Sequence, residues 1–474
     1  MSSLEQQPAG DGQGAQRDLT ELLRAQVSGA FYQSTDWLSF GGTAAIALAV
    51  YWYTLAPEVT LEMSGLLATD AKYAGVAHPP GFPVWTMYAW LFTKLVPWSN
   101  IAWRVAVSSA VAGAISCGVI ALIVSRVGAL VLDGMPGFRR LAVRDERLLR
   151  LVAGSVAGLG FGFSDPFWGM AVVVDTRALS IAFFSITLSL LVRWLHDPTG
   201  LKRLYTAFLV YGLTVSASQV LIPAALGLPF FATFGDRKLG RELFFAAAIL
   251  AECVLVAHHF GWFPQLDGPG GKMNAVGRLY LYIGLLCAAV CLGLVFNTGG
   301  GFSRVRPALI AGMFALIGTL PHLQLPLASM SNPPSNWGYA RTVEGFVHLI
   351  TRGQFGRLSP TQDVSSFLQQ LVIYAWFVCR RLGVTYLIVA TLPFCFLPRM
   401  RPQAQGAILG LLAFYLCMSL LMLYLMNPPN NRSAWGLFEL FLSPSYLILA
   451  LWAGLGLILL GTLVCRPRNP RLTG

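Results

Sequence analysis

Charge is what this sequence has least of. Only 11% of its 474 residues are Asp, Glu, Lys or Arg, against about 25% in soluble domains, so a water-soluble globular enzyme is excluded. Intrinsic disorder, which needs low hydrophobicity and high net charge, is excluded with it. The long apolar runs show no polar–apolar alternation, which rules out a membrane β-barrel. The eight cysteines form no CxxC and no loop pairs. They read as buried free thiols, supporting neither a disulfide framework nor a zinc site. No other metal-ligand set stands out, and no cofactor is expected. A basic stretch followed by a short apolar core and a small-residue cleavage site is also missing, so no cleaved signal peptide is expected.

What the chain does have is apolar length. Hydrophobic residues make up 55% of it, and the mean hydropathy is +0.62. At about 20 residues per crossing, the expected fold class is all-α: a polytopic integral membrane protein of about 12 transmembrane helices. The net charge of +12 comes largely from basic clusters. These are Arg139, Arg140, Arg144, Arg147 and Arg150; Arg193, Lys202 and Arg203; Arg237, Lys238 and Arg241; Arg304 and Arg306; Arg399 and Arg401; and Arg466, Arg468 and Arg471. Short basic loops stay cytoplasmic. Satisfying every cluster places crossings near 37–56, 101–127, 150–168, 176–194, 204–219, 220–235, 242–262, 278–298, 307–325, 382–398, 404–426 and 443–464, with both termini inside. The pair over 204–235 is interrupted by Pro223 and Pro229. The chain then divides into a polar cytoplasmic tail (1–36), a membrane domain (37–464) and a basic cytoplasmic tail (465–474). A nucleic-acid partner would need a soluble basic domain, and none is visible.

Two long segments, 57–100 and 326–381, fall outside. Both carry Trp, Pro, Gly and isolated charges, the mark of re-entrant or surface-lying structure rather than linker. The first holds Glu58, Glu62 and Asp70. Glycosyl transfer to a hydroxyl needs a carboxylate at the membrane face to take the acceptor proton. Glu62, between Leu61 and Met63, is poorly placed to be a merely solvated charge; the alternative for all three is a capping or surface carboxylate. His78 precedes Pro79-Pro80-Gly81, and a rigidly held imidazole suits phosphate or hydroxyl contact, or else meets a backbone carbonyl. Arg104 reads as an interfacial anchor or a phosphate clamp. Asp165, Asp175 and Arg177 stand at the outer ends of adjacent crossings, as an Asp–Arg pair closing a hairpin or as reactive groups. In the second segment Asn332, Asn336, Trp337, Arg341, Glu344, His348 and Arg352 recur. From Arg341 onward the steps of three, four and four predict one helical face, either solvated or a sugar and phosphate site.

Several of these stretches together resemble a bacterial family of polytopic proteins of unassigned function, related to protein O-mannosyltransferases and placed with the GT-C glycosyltransferases. The carriers are LAPEVTLEMSG (55–65), HPPGFP (78–83), NIAWRV (100–105), PFW (166–168) with Asp175 beyond it, NPPSNWGYARTVEGF (332–346) and TRGQFG (351–356). The resemblance implies a GT-C-like fold. It departs from the family in the first loop, where an Asp-Ser-Gly-Glu tetrad is usual and Met63, Ser64, Gly65 and Leu66 stand here. Asp175 replaces a usual Glu, and Ser218 followed by Gln219 replaces a usual His.

Three functions follow as expectations. The first is transfer of a sugar from a polyprenyl-phosphate donor in the outer leaflet to a protein or glycan hydroxyl, in a bacterial inner membrane. Glu62, or its rival Asp70, would be the base, and His78, Arg104, Asp175, Asn332, Asn336, Trp337, Arg341, Glu344 and Arg352 would bind substrate. The second is a lipid or solute transporter or flippase, which would favour midplane charges and internal repeats. The third is a catalytically silent envelope scaffold, suggested by the missing tetrad acids.

Overall fold

The computed structural model describes residues 30–464 apart from 61–62, 136–140, 263–265, 268–271, 356–358 and 433–434. The described chain is helical, with isolated β-bridges only. Glu62, Arg139, Arg140, residues 1–29 of the expected N-terminal tail and the whole C-terminal tail (465–474) lie outside the described residues.

The first helix, α1 (Ser34–Tyr53), starts inside the segment expected to be tail, because Asp36 folds back to accept from the Gln33 amide at 2.9 Å. The first long loop holds α2 (Ser64–Tyr73) and α3 (Pro83–Leu95). Next comes α4 (Ile101–Gly134), capped by Asn100, whose Oδ1 accepts from the Trp103 amide. Its 34 residues make it about 50 Å long, and its Ala, Ser, Gly and Val residues are buried along nearly the whole length. It is the central mast of the bundle. Around it run α5 (Val143–Gly162), α6 (Asp165–Ala171), α7 (Arg177–His196) and α8 (Leu201–Ala217). The stretch interrupted by Pro223 is a 3-10 turn, Gln219–Leu226, before α9 (Gly227–Gly235). Proline supplies no amide to an α-helical ladder, and the tighter helix accommodates it.

Then follow α10 (Arg237–His259), α11 (Ala275–Thr298), α12 (Val305–Thr319) and α13 (Gln324–Met330). At the crossing of α8 and α12, Gly212 and Gly318 meet backbone to backbone. A Cβ on Gly212 would come within 2.1 Å of the Ala315 carbonyl oxygen, so only glycine lets the helices approach this closely. The second long loop carries α14 (Val343–Ile350). It is followed by α15 (Val364–Leu382), bent 103° from α16 (Val384–Cys395). The last third of the segment expected as outer loop is therefore helix. Its Asp363 cap accepts from the Ser366 amide at 2.8 Å. The chain ends in α17 (Pro402–Leu416), a π-turn, α18 (Met422–Met426) and α19 (Trp435–Val464).

Among the described residues six helices are long and apolar enough to cross a membrane, and up to eight if each bent pair is one span. The dozen crossings read from the sequence all fall on helical runs. The difference lies in passes such as α8 and α9, which are short or broken. Among the cysteines, Cys253 and Cys395 are exposed rather than buried.

The helices run between two poles. At one, segments around Pro198, Gly235–Lys238, Asn297 and Arg304 share a groove, and Arg401 packs on Gly134. The described basic clusters gather here. Helix α7 leaves this pole at His196 and reaches the other at Arg177, about 30 Å away at 1.5 Å per residue.

Candidate active site

The opposite pole is built by the two long loops. The Val76 amide donates to the Ser335 carbonyl at 3.0 Å, and the Trp337 amide to the Val76 carbonyl at 3.3 Å. Gln324 Nε2 donates to the Ala74 carbonyl at 3.2 Å. Val76, Leu325, Ala340 and Leu349 form a small apolar core beneath these bonds. Gly81, at φ +101°, lies so near Leu325 that a Cβ would sit 2.8 Å from its methyls, which fixes the turn after His78.

Under this cap opens a cavity of about 570 Å³. Its wall combines Thr60, Met63, Ser64 and Leu67 with His78–Pro80 and Phe82, then Gly169, Met170 and Val173–Arg177. Ser218–Val220, Arg352, Leu440 and Phe441 complete it. Residues spread over most of the chain thus converge on one space, and the polar groups lie beside one another on an otherwise apolar wall. That is the usual form of a ligand site.

His78 packs edge-on against Phe82, with ring centroids 5.0 Å apart, and its buried Nδ1 has no partner among the described residues. Burial, with help from the Arg352 charge, lowers its pKa to about 4, so the imidazole is neutral at pH 7. Arg352 stacks on Phe355 at 5.1 Å and makes no ion pair among the described residues. Asp175 is buried and gripped by Arg177. The Arg177 amide donates to Oδ1 at 2.6 Å, Nε lies 3.0 Å from both oxygens, and Nη2 bonds Oδ2. The pair closes the turn between α6 and α7, and Arg177 also lines the cavity. Gln219 lines it too, while its Nε2 donates to the Ile350 carbonyl at 3.0 Å, tying the start of the 3-10 turn to the second loop.

Other expected site residues lie elsewhere. The Arg104 guanidinium donates to the carbonyls of Thr93, Pro97, Trp98 and Ser99, so it holds its own loop together and is not on the cavity wall. Asp70 is wholly buried behind the wall, facing Ser335, and burial raises its pKa to about 6. Arg341 bonds Asn332 Oδ1 and lies 4.4 Å over the Tyr339 ring. Asn336 Nδ2 donates to the Ser329 carbonyl at 3.3 Å, and Trp337 packs into the small apolar core. Glu344 is exposed in the first turn of α14, and Glu58 borders a separate groove with Lys72 and Asn100. The expected common face of Arg341, Glu344, His348 and Arg352 does not form. Thr342 caps α14 by accepting from the Gly345 amide, and Arg352 leaves the helix with φ +57°. Both arginines are therefore outside the helix, and only Arg352 reaches the cavity.

Sequence reasoning passed over Arg381 and Glu439. Arg381 holds the buried Glu439 at 2.8 and 2.9 Å and also bonds Asp165. This anchors α15 and α6 to the start of α19, one residue before Leu440 on the wall. Nothing local in the sequence pairs these positions, which lie 58 residues apart.

Fold and site together define a polytopic helical membrane protein with a largely apolar cavity, carrying a few polar groups, at the pole away from its basic loops. Residues 64–238 match the family described as the protein O-mannosyl-transferase TMEM260 N-terminal domain, a stretch that includes most of the cavity wall. The chain is 28% identical over 159 residues to protein O-mannosyl-transferase TMEM260 of Mus musculus, covering 34% of this chain and 20% of that protein. It is 34% identical over 69 residues to the Dictyostelium discoideum protein of the same name, covering 14% and 8%. The match therefore spans only a fifth or less of either relative. No solved structure matches the chain. Over the matched part, the chain is similar to proteins named protein O-mannosyl-transferase.

Proposed function

We propose that this protein transfers a sugar, mannose in the first instance, from a polyprenyl-phosphate donor to a hydroxyl of a protein acceptor, at the outer face of the membrane. The observation that carries this reading is the convergence of His78, Arg177, Gln219 and Arg352 on one cavity whose wall largely coincides with the matched segment. Mannose and a protein acceptor come from the names of the relatives. The outer face comes from the position of the cavity away from the basic clusters. A bacterial plasma membrane and a GT-C-like architecture rest on the sequence resemblance.

In this reading the acceptor oxygen attacks the anomeric carbon as a carboxylate takes its proton. The bond to the donor phosphate breaks, and the phosphate leaves with the electron pair. Arg352, with Arg177 on the same wall, stabilises that leaving charge. Neutral His78 contributes a hydrogen bond rather than a charge. For the base we retain Glu62: its chain neighbours Thr60 and Met63 both line the cavity, whereas Asp70 does not and Asp175 is engaged by Arg177.

The test is transfer itself. Purified protein in nanodiscs is given labelled polyprenyl-phosphate mannose and a Ser/Thr-rich peptide, with polyprenyl-phosphate glucose in parallel. Label appearing on the peptide supports the reading. Neither label transferring, with donor still bound, supports a second one, binding without catalysis. Met63 on the wall favours that second reading, since it stands where the resembling family carries an acid. Sidedness is checked with single cysteines at exposed Val343 and at Ala142. Impermeant reagent from outside should modify the first and spare the second.

A further inference from the structure

Behind the cavity wall, a second set of polar groups lies buried with its hydrogen bonding incomplete. Both carboxylate oxygens of Asp70, the hydroxyls of Ser329 and Ser335, and the side-chain oxygens of Gln324 and Asn336 have no hydrogen-bond partner among the described residues. Asp70 and Ser329 are 0% exposed. Leaving one such group unmet costs about 1–3 kcal/mol, and native proteins rarely leave several together.

All six unmet atoms are oxygens, and they belong to one stitched region. The Gly75 amide donates to the Asp70 carbonyl at 2.9 Å, and Val76 to Ser335 at 3.0 Å. The Ser335 hydroxyl lies beside the Asp70 carboxyl, close enough to favour its charged form but outside ordinary hydrogen-bond geometry. The amide nitrogens of Gln324 and Asn336 are spent on the Ala74 and Ser329 carbonyls, which leaves their oxygens as the free ends. No Lys, Arg or His pairs with Asp70 among the described residues.

We infer that Asp70, Gln324, Ser329, Ser335 and Asn336 form a binding site for a hard, calcium-sized cation that clips the two long loops together. An oxygen-only set with a single carboxylate suits a hard cation and not zinc or copper. Calcium takes six to eight oxygens in flexible geometry, and this set offers six if Asp70 binds through both. One carboxylate leaves much of the ion's charge unmatched, so the affinity belongs with the weak sites, on the order of 10⁻⁴ to 10⁻³ M. The site does not depend on the transferase reading. It would act on the cavity only by holding the cap that carries His78 and Arg352.

The test uses the full chain in detergent, stripped with EDTA. Equilibrium dialysis against radioactive calcium counts bound ions, and thermal unfolding is followed with and without calcium. The expected result is one ion per chain and a calcium-dependent rise in Tm. Asp70→Asn should weaken binding at least tenfold and abolish the rise. Gln324→Met, which removes one oxygen at similar volume, should weaken binding less. No calcium bound to wild type at 5 mM overturns the site, as does wild-type affinity in Asp70→Asn. If Asp70→Asn fails to fold, Gln324→Met decides, and unchanged affinity in it overturns the site.

Discussion

The two poles of the bundle differ in where their unpaired charge lies. At the basic pole the main buried charges pair with neighbours, although Arg126 Nε, Arg193 Nε, Arg241 Nε and Glu242 Oε2 have no hydrogen-bond partner among the described residues. Arg150, 4% exposed, meets Asp36 at 2.7 Å and the Ser125 carbonyl at 3.0 Å. Arg241 meets Glu242 at 2.9 Å, and Arg304 meets Asp236 at 3.0 Å. At the cavity pole Asp175 pairs with Arg177 and Glu439 with Arg381, while His78 Nδ1 and the Asp70 carboxylate are buried with no ion pair among the described residues, and Arg352 lines the cavity. Stability alone favours the first arrangement, because an unmet buried polar group costs free energy. The second is expected where a ligand completes the set. The lesson is that ion pairs fasten both poles, while the polar groups left unpaired at the cavity pole are the ones placed to meet a ligand.

The largest expected effect tests that division directly. Glu62→Gln keeps the size of the side chain and removes the proton acceptor. Transfer should fall by about 10² to 10⁴, the usual worth of a general base, with donor binding and Tm unchanged. Transfer by the variant at the wild-type rate would dismiss Glu62 as base.

At the other pole the expected loss is of stability and not of chemistry. Arg150→Met leaves Asp36 buried and unpaired, which costs about 3–5 kcal/mol. Chemical denaturation should show that loss, while turnover per folded molecule stays the same. A variant as stable as wild type would mean that the paired pole is not what fastens α1 to α5.

Asp70 gives a pH signature. Its folded pKa, about 6, lies above the ordinary 3.8. A carboxyl held up in this way favours the fold while protonated. That contribution is complete below the ordinary value and is lost as pH rises through about 6. Two units correspond to about 3 kcal/mol at most. In chelator, wild-type Tm should fall between pH 4 and 7 relative to Asp70→Asn. A wild-type curve parallel to that of the variant would show that the Asp70 charge is met in solution.

Much of this was legible in the sequence, and the rest was not for identifiable reasons. Apolar runs and basic clusters located the helical passes, since burial in lipid and positive-inside placement act on composition. The Asp175–Arg177 pair was legible because the partners are two residues apart. The meeting of Gly75–Val76 with Ser335–Trp337 was not, because a bond between loops more than 250 residues apart leaves no local pattern. The expected face over 341–352 failed because regular spacing counts only within one continuous helix, and Thr342 and the left-handed Arg352 stop the helix at both ends. Arg104 was misplaced because an arginine beside Trp103 reads as interfacial, whereas its guanidinium is occupied by four carbonyls of its own loop.

The smallest effect separates two arginines that the sequence treated alike. Arg341 is already engaged, by Asn332 and by the face of Tyr339, so Arg341→Lys removes a loop contact without touching the cavity. Arg352 lines the cavity with its fork unspent on any carboxylate among the described residues. A lysine there keeps the charge but cannot offer two parallel N–H groups to a phosphate. Donor affinity should therefore drop about tenfold in Arg352→Lys, or about 1.4 kcal/mol, and remain at the wild-type value in Arg341→Lys and Arg104→Lys. The measurement is equilibrium binding of a fluorescent polyprenyl-phosphate sugar to each variant, with Tm recorded on the same samples. The reverse pattern, with Arg341→Lys weakening binding and Arg352→Lys leaving it intact, would move the phosphate site out of the cavity and onto the outer surface of the second loop. Equal loss in all three would mean that the lysines act through the shape of the cap rather than through contact with phosphate, and the parallel Tm values would show it.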